Sequence, residues 1–127
     1  MLARARVGPS NHQLVGIDEA VRTLAEVAET LRTTAHLASP ETGGAATFAD
    51  VAVFCLAGID LDVDEARMVP ALEALRVASR VLVRNDTFAV SRAGTSAPWG
   101  IGVVCGTGMN CAAVGPDGRT VRFPALA

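Results

Sequence analysis

Apolar residues recur at spacings of three and four in the first third of the chain, and this period predicts an amphipathic helix from about Ile17 to Leu37. Asp18 and Glu19 suit its first turn, because carboxylates stabilise the positive end of a helix dipole. Before the helix, apolar residues alternate with arginine from Leu2 to Val7, a pattern typical of a half-exposed strand. A turn cluster at positions 8–12 separates these two elements.

Two continuous apolar runs predict buried strands in the middle of the chain. Val51–Leu56 and Val81–Val83 lack alternation, which is typical of parallel strands that are covered on both faces. A helix is predicted between them from Asp64 to Val77, and Pro70 should kink it or mark a second start. A short helix that opens at Asn85 and ends at Gly94 follows the second run.

The end of the chain predicts three successive strands. They are Trp99–Val104, Met109–Val114 and Thr120–Phe123, with a Pro116-Asp117-Gly118 turn between the last two. The full order is strand, helix, strand, helix, strand, short helix and then three strands. The first part therefore indicates an α/β fold, and the last part indicates the opening of a second unit.

Composition excludes several classes of protein. Half of the 127 residues are apolar, which is typical of a globular chain, and all eleven basic residues are arginine. Without lysine, a G-x-x-x-x-G-K-[ST] phosphate loop is excluded. The net charge is −2 and no basic stripe is interleaved with aromatic residues, so we expect no nucleic-acid partner. No apolar run approaches the roughly 20 residues of a membrane span, so we expect no membrane partner.

The cysteine pattern favours a cytoplasmic protein with buried free thiols. Cys55, Cys105 and Cys111 are odd in number and form no C-x-x-C motif, and the N-terminus lacks the apolar segment of a secretion signal. Cys105 and Cys111 could face each other across a hairpin. A disulfide between them is the less favoured alternative.

The segment Gly106-Thr107-Gly108 follows a predicted strand and is a candidate phosphate site. Glycines let the backbone approach a ligand closely, successive N–H groups form a concave anion site, and the Thr107 hydroxyl adds a donor. The alternative is an ordinary glycine-containing hairpin turn.

Asp86 is a candidate catalytic base. It lies just past the carboxyl end of a predicted strand, where open α/β sheets place their ligands, and a carboxylate there could accept the proton of a substrate hydroxyl. The alternative is a helix N-cap, which Asn85, Asp86 and Thr87 all suit and which the local sequence favours.

Two further groups of residues are candidates for the ligand-binding crevice at the carboxyl ends of the strands, where Asp86 is expected to lie. Ser10, Asn11 and His12 carry side chains that suit sugar hydroxyls, although the local sequence favours an ordinary polar turn. Gly58 and Asp60 lie just after the first buried run and could face the same crevice as Asp86. The acids at 60, 62 and 64 lack the glycine and glutamate of a calcium loop, so acids leading into a helix N-terminus are the favoured interpretation. No metal role is expected for His12.

Five segments, taken in order, resemble the BadF/BadG/BcrA/BcrD ATPase family, and most of all its N-acetylglucosamine kinase-like members. The segments are Gly8–His12, Phe54–Asp60, Val83–Asp86, Trp99–Cys111 and Gly115–Arg119. No single motif is specific, but their order and spacing are similar to the family's over essentially the whole chain. The resemblance implies an RNase H-like fold of the actin and sugar-kinase type, in which two such domains close over ATP and substrate.

The resemblance also implies an activity and a site. The activity would be ATP-dependent phosphorylation of an amino sugar, N-acetylglucosamine to its 6-phosphate, with ATP and Mg²⁺ as cofactors. Asp86 would be the base that deprotonates the sugar hydroxyl. The substrate-binding residues would be Ser10, Asn11, His12, Gly58, Asp60 and Asp86, and the second phosphate loop would be Gly106, Thr107 and Gly108.

The chain departs from the family's pattern at both ends. It lacks the family's opening Asp-x-Gly-Gly-x-x-Thr phosphate loop, and Met1 falls where the third strand should begin. Residues 1–96 would be a partial first RNase H-like domain without its first two strands, and residues 97–127 the opening strands of a second. The chain would then be part of a kinase roughly two to three times as long, judged from ordinary domain sizes.

This incompleteness leads to two expectations, and two alternative functions stay open. The chain is expected to be inactive alone and to self-associate through unpaired sheet edges. The alternative function is a non-catalytic sugar-binding or partner-dependent module of the same family. A less favoured third possibility is an activator ATPase, which would resemble iron–sulfur proteins that hold a cluster through cysteines.

Overall fold

The computed structural model describes residues 1–37, 47–106 and 108–126, with the side chains of 124–126 excepted. In chain order, its elements are α1 (His12–Val15), α2 (Ile17–Thr34), β1 (Ala49–Leu56), α3 (Asp62–Glu73), β2 (Ala78–Asn85), α4 (Asp86–Gly94), β3 (Gly100–Cys105), β4 (Met109–Val114) and β5 (Thr120–Leu126). The fold is mixed α/β, as the order of elements predicts. No described helix combines the length and the apolar character needed to cross a bilayer.

The two buried runs form a parallel pair of strands, β1 and β2, in which Phe54 lies opposite Val83. Side chains from this pair, α2 and α3 form the apolar core, whose members include Leu24, Leu56, Met68 and Val83. The prediction that both faces are covered is wrong for β1. Val51 and Val53 alternate with the core-facing positions and are 50% and 59% exposed, because the described helices α2 and α3 pack on the opposite face.

The predicted strand at Leu2–Val7 is wrong. This segment belongs to no sheet of the described residues, although positions 3, 5 and 7 are half-buried and positions 2, 4 and 6 are exposed. The alternation therefore has the period of a strand without its hydrogen bonds. A strand needs a neighbouring edge, and within the described ranges β1 pairs with β2 alone.

The helices begin close to the predicted residues and end earlier. α2 starts at Ile17 as predicted and ends three residues before Leu37, where His36 has a φ of 54°. α3 runs through Pro70 without a break and ends at Glu73. The proline lies in the last turn, and Arg76, with a φ of 52°, then redirects the chain into β2.

The short helix α4 follows β2 with no intervening loop. Asn85 is its N-cap: the side-chain oxygen accepts hydrogen bonds from the Thr87 amide at 3.0 Å and from the Thr87 hydroxyl. The interpretation of Asp86 as the cap is therefore wrong, because Asn85 performs that role and Asp86 is the first helical residue.

The three predicted strands at the end of the chain are confirmed, and they form a separate antiparallel sheet in the order β3-β4-β5. The turn between β4 and β5 is also confirmed, since Gly118 has a φ of 79° and the Gly115 amide donates to the Arg119 carbonyl at 2.8 Å. The register places Val103 opposite Cys111, so Cys105 does not face Cys111. All three cysteines are free thiols.

Gly102 lets this sheet pack against α4. A Cβ atom at Gly102 would lie 2.2 Å from the Thr87 carbonyl oxygen and 3.0 Å from the Ser91 amide nitrogen. Both atoms belong to the helix backbone, so they cannot move aside as a flexible side chain would. The absence of a side chain at this position sets how closely β3 approaches α4.

We expect Gly102→Ala to lower the free energy of unfolding by about 1–3 kcal/mol, because the added methyl group forces α4 away from β3. Urea denaturation followed by circular dichroism measures the change. Gly94→Ala is the matched control, since a Cβ there meets no atom within 4 Å. Equal midpoints for the two variants would contradict the packing described.

Candidate functional site

The carboxyl ends of β1 and β2 meet the segment before α2 at the side chain of Asp60. Oδ1 of Asp60 accepts hydrogen bonds from Nδ2 of Asn85 at 3.0 Å and from Nδ2 of Asn110 at 2.7 Å. Oδ2 accepts from Nε2 of Gln13 at 3.2 Å. These four residues, which we call the Asp60 cluster, join four segments that are distant in the sequence.

Asn85 connects the two strand ends and is 1% exposed. Its Nδ2 donates to the Ile59 carbonyl at 3.0 Å as well as to Asp60, while its oxygen caps α4. Buried amides are costly when unpaired, and here both ends of the side chain have partners. The residue thereby fixes where β2 ends and α4 begins relative to the loop after β1.

Gly58 brings the segment at positions 11–13 against the end of β1. Its φ is 84°, and a Cβ atom at this position would lie 2.4 Å from Oδ1 of Asn11. The Gly58 carbonyl also accepts a hydrogen bond from Nε2 of Gln13 at 3.0 Å. Both the conformation and the space favour glycine, so this predicted residue shapes the site through its backbone.

His12 presents a buried nitrogen atom with no partner among the described residues. Its side chain is 12% exposed, and Nε2 lies 3.6 Å from Oδ1 of Asp64. Nδ1 is buried and forms no hydrogen bond to the described part of the chain. Nδ1 is therefore the ring nitrogen that is left for a ligand to contact.

Asp86 directly follows Asn85, a member of the Asp60 cluster, and its charge also acts on the Cys55 thiol. It is half-buried at the start of α4, and its carboxylate forms no hydrogen bond or ion pair with the described residues. Because Asn85 caps the helix, the Asp86 side chain is available for another partner. The start of a helix also stabilises a negative charge there.

Ser10 and the turn after β3 complete the set of predicted site residues. Ser10 is half-buried, and its hydroxyl has no partner among the described residues. Thr107 lies outside the residues that the structure describes. The Gly106 amide donates to the Gly108 carbonyl at 2.9 Å, and Gly106 does not have a positive φ. This hydrogen bond closes the turn on itself, which favours the interpretation as a hairpin turn.

The structure thus brings together Asn11, His12, Gly58 and Asp60, and it places Asp86 next to them through Asn85. Sequence reasoning missed the three amide side chains that bind Asp60. Each of them adjoins or lies within a segment that the sequence analysis singled out. The signal in the sequence was that each amide lies in or next to one of those segments. Hydrogen-bond donors in loops and at strand ends do not recur at a regular spacing, so hydrophobic periodicity does not reveal them.

A second group of charges joins α3 to both sheets. Arg122 on β5 forms ion pairs with Asp62 and, at 2.9 Å, with Glu65, which also pairs with Arg84 at 3.0 Å. Asp62 and Asp64 lie in the first turn of α3, so the interpretation as acids of a helix N-terminus is confirmed. In the described ranges, no group of three histidine, cysteine or acidic residues is placed to hold a metal ion.

The three cysteines differ in their surroundings. Cys105 is exposed, whereas Cys55 and Cys111 are half-buried. Burial raises the pKa of the Cys55 thiol, outweighing the opposite effects of a hydrogen bond involving the Ala89 backbone and of the Arg84 charge. A raised pKa keeps Cys55 protonated, which disfavours both nucleophilic and metal-binding roles for it.

Comparisons with known proteins were made against families, curated proteins and solved structures. No protein-family model matches the chain, and no curated protein matches it. Among solved structures, the chain is similar to a protein from Chromobacterium violaceum that is described as a candidate N-acetylglucosamine kinase, with 20% identity and a TM-score of 0.54. The match covers 85% of this chain and 35% of that one. The two proteins share a fold over this region, and this chain spans about a third of the neighbour's length.

We expect a double-mutant cycle of Asp60→Ala and Asn110→Ala to give a coupling energy of about 1–3 kcal/mol, because the Asn110 amide donates to a charged acceptor. Urea denaturation of the two single variants and the double variant measures it. Asp50→Ala is the control, since this exposed carboxylate on β1 binds no described residue. Strictly additive losses would show that β4 is held in place without the Asp60 contact.

We expect iodoacetamide to modify Cys105 before Cys55 in the native protein, because Cys105 is exposed and burial raises the pKa of Cys55. Peptide mass spectrometry over a time course at pH 8 measures the order. Unfolding in urea is the control and should bring the two rates together. Faster native modification of Cys55 would contradict its burial.

Proposed function

We propose that this chain is the sugar-handling part of an amino-sugar kinase related to the BadF/BadG/BcrA/BcrD ATPase family. The reaction of the complete enzyme would transfer the terminal phosphoryl group of ATP to the 6-hydroxyl of N-acetylglucosamine. The observation that carries the proposal is the unpaired Asp86 carboxylate, which lies at the carboxyl end of β2 beside a polar cluster. The fold shared with the Chromobacterium violaceum protein supports it.

Asp86 is proposed as the catalytic base. Phosphoryl transfer to a sugar requires the attacking hydroxyl to lose its proton, and a positioned carboxylate accepts that proton as the oxygen attacks phosphorus. The carboxylate has no described partner that would compete for the proton. Its place on the first residue of α4 holds the carboxylate on a rigid element rather than on a loop.

The sugar-binding residues divide into those that contact the sugar and those that support the contacts. Ser10 and His12 carry polar atoms without described partners, so we propose that they bind sugar hydroxyls. Asn11 and Asp60 are already engaged: Oδ1 of Asn11 accepts from the Gln13 amide at 3.0 Å, and Asp60 binds three amides. With Gly58, these two residues hold the segment at 10–13 in position.

ATP and Mg²⁺ belong to the proposal for the complete enzyme. In the described part of the turn after β3, the Gly106 amide already donates to the Gly108 carbonyl, so it is not available to a phosphate group. The described acids likewise form no group suited to a metal ion. We therefore propose that this chain alone binds the sugar and does not catalyse phosphoryl transfer. On this proposal, residues 1–96 form part of one RNase H-like domain and residues 97–127 open the next.

The second candidate function is a non-catalytic sugar-binding module that acts with a partner. The hydrogen bond from the Gly106 amide to the Gly108 carbonyl is the observation that favours it, since a sensor of sugar needs no phosphate loop. The two candidates differ in what Asp86 does. In a kinase it is needed for turnover and only weakly for sugar binding, whereas a sensor has no turnover to lose.

We expect isothermal titration calorimetry of the 127-residue chain to detect binding of N-acetylglucosamine and no binding of Mg²⁺–ATP. Asp86→Asn should leave the sugar affinity within about threefold, since it removes a charge and keeps a polar group of the same shape. A coupled assay for ADP should show no turnover for either protein. If the parent chain turned over and Asp86→Asn abolished that turnover, Asp86 would be confirmed as the catalytic base. The proposal that the chain alone is inactive would then be overturned. Absence of sugar binding at millimolar concentrations would overturn the sugar site.

A pair of substitutions at His12 tests the unpartnered nitrogen. The amide of asparagine reaches the position of Nδ1, whereas the amide of glutamine reaches that of Nε2. We therefore expect His12→Asn to keep most of the sugar affinity and His12→Gln to lower it by roughly 3- to 10-fold, the value of about one hydrogen bond. Titration calorimetry measures both, with Asp50→Asn as the control. Equal sugar affinities for His12→Asn and His12→Gln would show that Nδ1 does not bind the sugar.

A further inference from the structure

The side chain of Asn85 serves two separate parts of the fold. Its oxygen accepts hydrogen bonds from the Thr87 amide at 3.0 Å and from the Thr87 hydroxyl, and these contacts cap α4. Its Nδ2 donates to the Ile59 carbonyl and to Oδ1 of Asp60, each at 3.0 Å. The residue is 1% exposed, so the protein rather than solvent supplies all of these contacts.

Capping alone does not explain why asparagine occupies this position. Asparagine, aspartate and serine are about equally favourable at the N-cap of a helix, because each offers a side-chain oxygen to the free backbone amides. Asparagine alone among the three also carries a separate donor nitrogen, so it can cap a helix and bind acceptors elsewhere at the same time. The contacts of Nδ2 to Ile59 and Asp60 are therefore the feature that distinguishes Asn85 from an ordinary cap.

These contacts lie between the two halves of the proposed sugar site. Asp60 binds Asn85 through one oxygen and accepts from Nε2 of Gln13 at 3.2 Å through the other, so it holds the segment at 10–13. The oxygen of Asn85 fixes the start of α4, whose first residue is Asp86. One buried side chain thus connects the proposed base to the proposed sugar-binding segment.

We propose that Asn85 is a positioning residue, which sets the place of the Asp86 carboxylate relative to the sugar-binding segment at 10–13. This role rests on the proposed function, since it concerns the same site. Asn85 acts through its neighbours, because both ends of its side chain are already bound by protein groups. Without Nδ2, Asp60 and the Ile59 carbonyl lose a buried donor, and the loop after β1 has to shift to recover a partner.

Two substitutions separate capping from positioning. Asn85→Ser and Asn85→Asp both keep an oxygen for the Thr87 amide, so both preserve the cap. Neither carries the amide donor: serine has a shorter side chain, and the carboxylate of aspartate would bring a like charge against Asp60. A residue that only caps α4 would tolerate either change, whereas a positioning residue would not.

Acid should restore a donor in Asn85→Asp and not in Asn85→Ser. Two carboxylates in close contact do not both ionise readily, so the pKa of one of them is raised. As the pH falls through this raised pKa, one carboxyl group binds a proton and can donate it in a hydrogen bond to the other. The aspartate variant therefore regains at low pH part of what it loses at neutral pH, while the serine variant has no group to titrate at this position.

Titration calorimetry of the full 127-residue chain with N-acetylglucosamine tests the proposal at pH 7 and pH 5, with each affinity divided by that of the parent chain at the same pH. We expect Asn85→Asp to bind at least about 10-fold more weakly at pH 7 and to come within about threefold at pH 5. Asn85→Ser should bind about 10-fold more weakly at both. Val90→Asp is the matched control, because it adds the same charge to an exposed position of α4 and should keep the parent affinity.

Circular dichroism and urea denaturation of each variant precede the titrations. Parent-like sugar affinity in both Asn85 variants would overturn the positioning role and leave the proposed function intact. An equal loss for Asn85→Asp at both pH values would also overturn it, and so would failure of Asn85→Ser to fold, since the residue would then serve stability alone. Absence of sugar binding by the parent chain would instead overturn the proposed function, and this role with it.

Discussion

Three segments of the candidate site are held together by the carboxylate of Asp60. It receives amides from the segment before α2, from the end of β2 and from β4, so a single ionised group sets the relative positions of elements that are otherwise joined by loops. A charged acceptor forms stronger hydrogen bonds than a neutral one, and it tolerates several donors because each oxygen has two lone pairs. The site is therefore organised by polar contacts around one group rather than by a continuous apolar core.

Polar contacts also connect the β3-β4-β5 sheet to the rest of the chain. The apolar core lies between the helices and one face of β1-β2, and hydrogen bonds, ion pairs and close packing on α4 tie the second sheet to the first part of the chain. Asn110 reaches Asp60, Arg122 reaches the acids of α3, and Gly102 allows close approach to α4. Hydrogen bonds and ion pairs depend on direction and distance, so they fix the orientation of the second sheet more narrowly than apolar contacts of the same area would.

The local sequence pattern predicts most of the helices and strands, but it does not predict which of their faces and edges are covered by other parts of the chain. The period of α2, the β4–β5 turn and the position of α4 follow from residues within a few positions of one another, and the structure agrees with them. The strand at Leu2–Val7 and the second covered face of β1 both require a neighbour from elsewhere in the chain, and alternation carries no information about whether that neighbour exists. The amide donors to Asp60 were missed for a related reason: Asn110 lies on a strand whose apolar pattern gives no hint that one polar side chain crosses to another sheet.

Asp60 and Asp86 illustrate how the same type of residue acquires different roles. Both follow the carboxyl end of a strand in the parallel pair, so the sequence alone makes each a candidate ligand or base. Asp60 already accepts hydrogen bonds from three amide donors, which leaves about one of its four lone-pair sites for a further group. Asn85 takes part in both outcomes, because one end of its side chain binds Asp60 and the other end caps α4, a task that Asp86 would otherwise perform. The buried amide between the two acids thus commits one of them to structure and leaves the other available for chemistry.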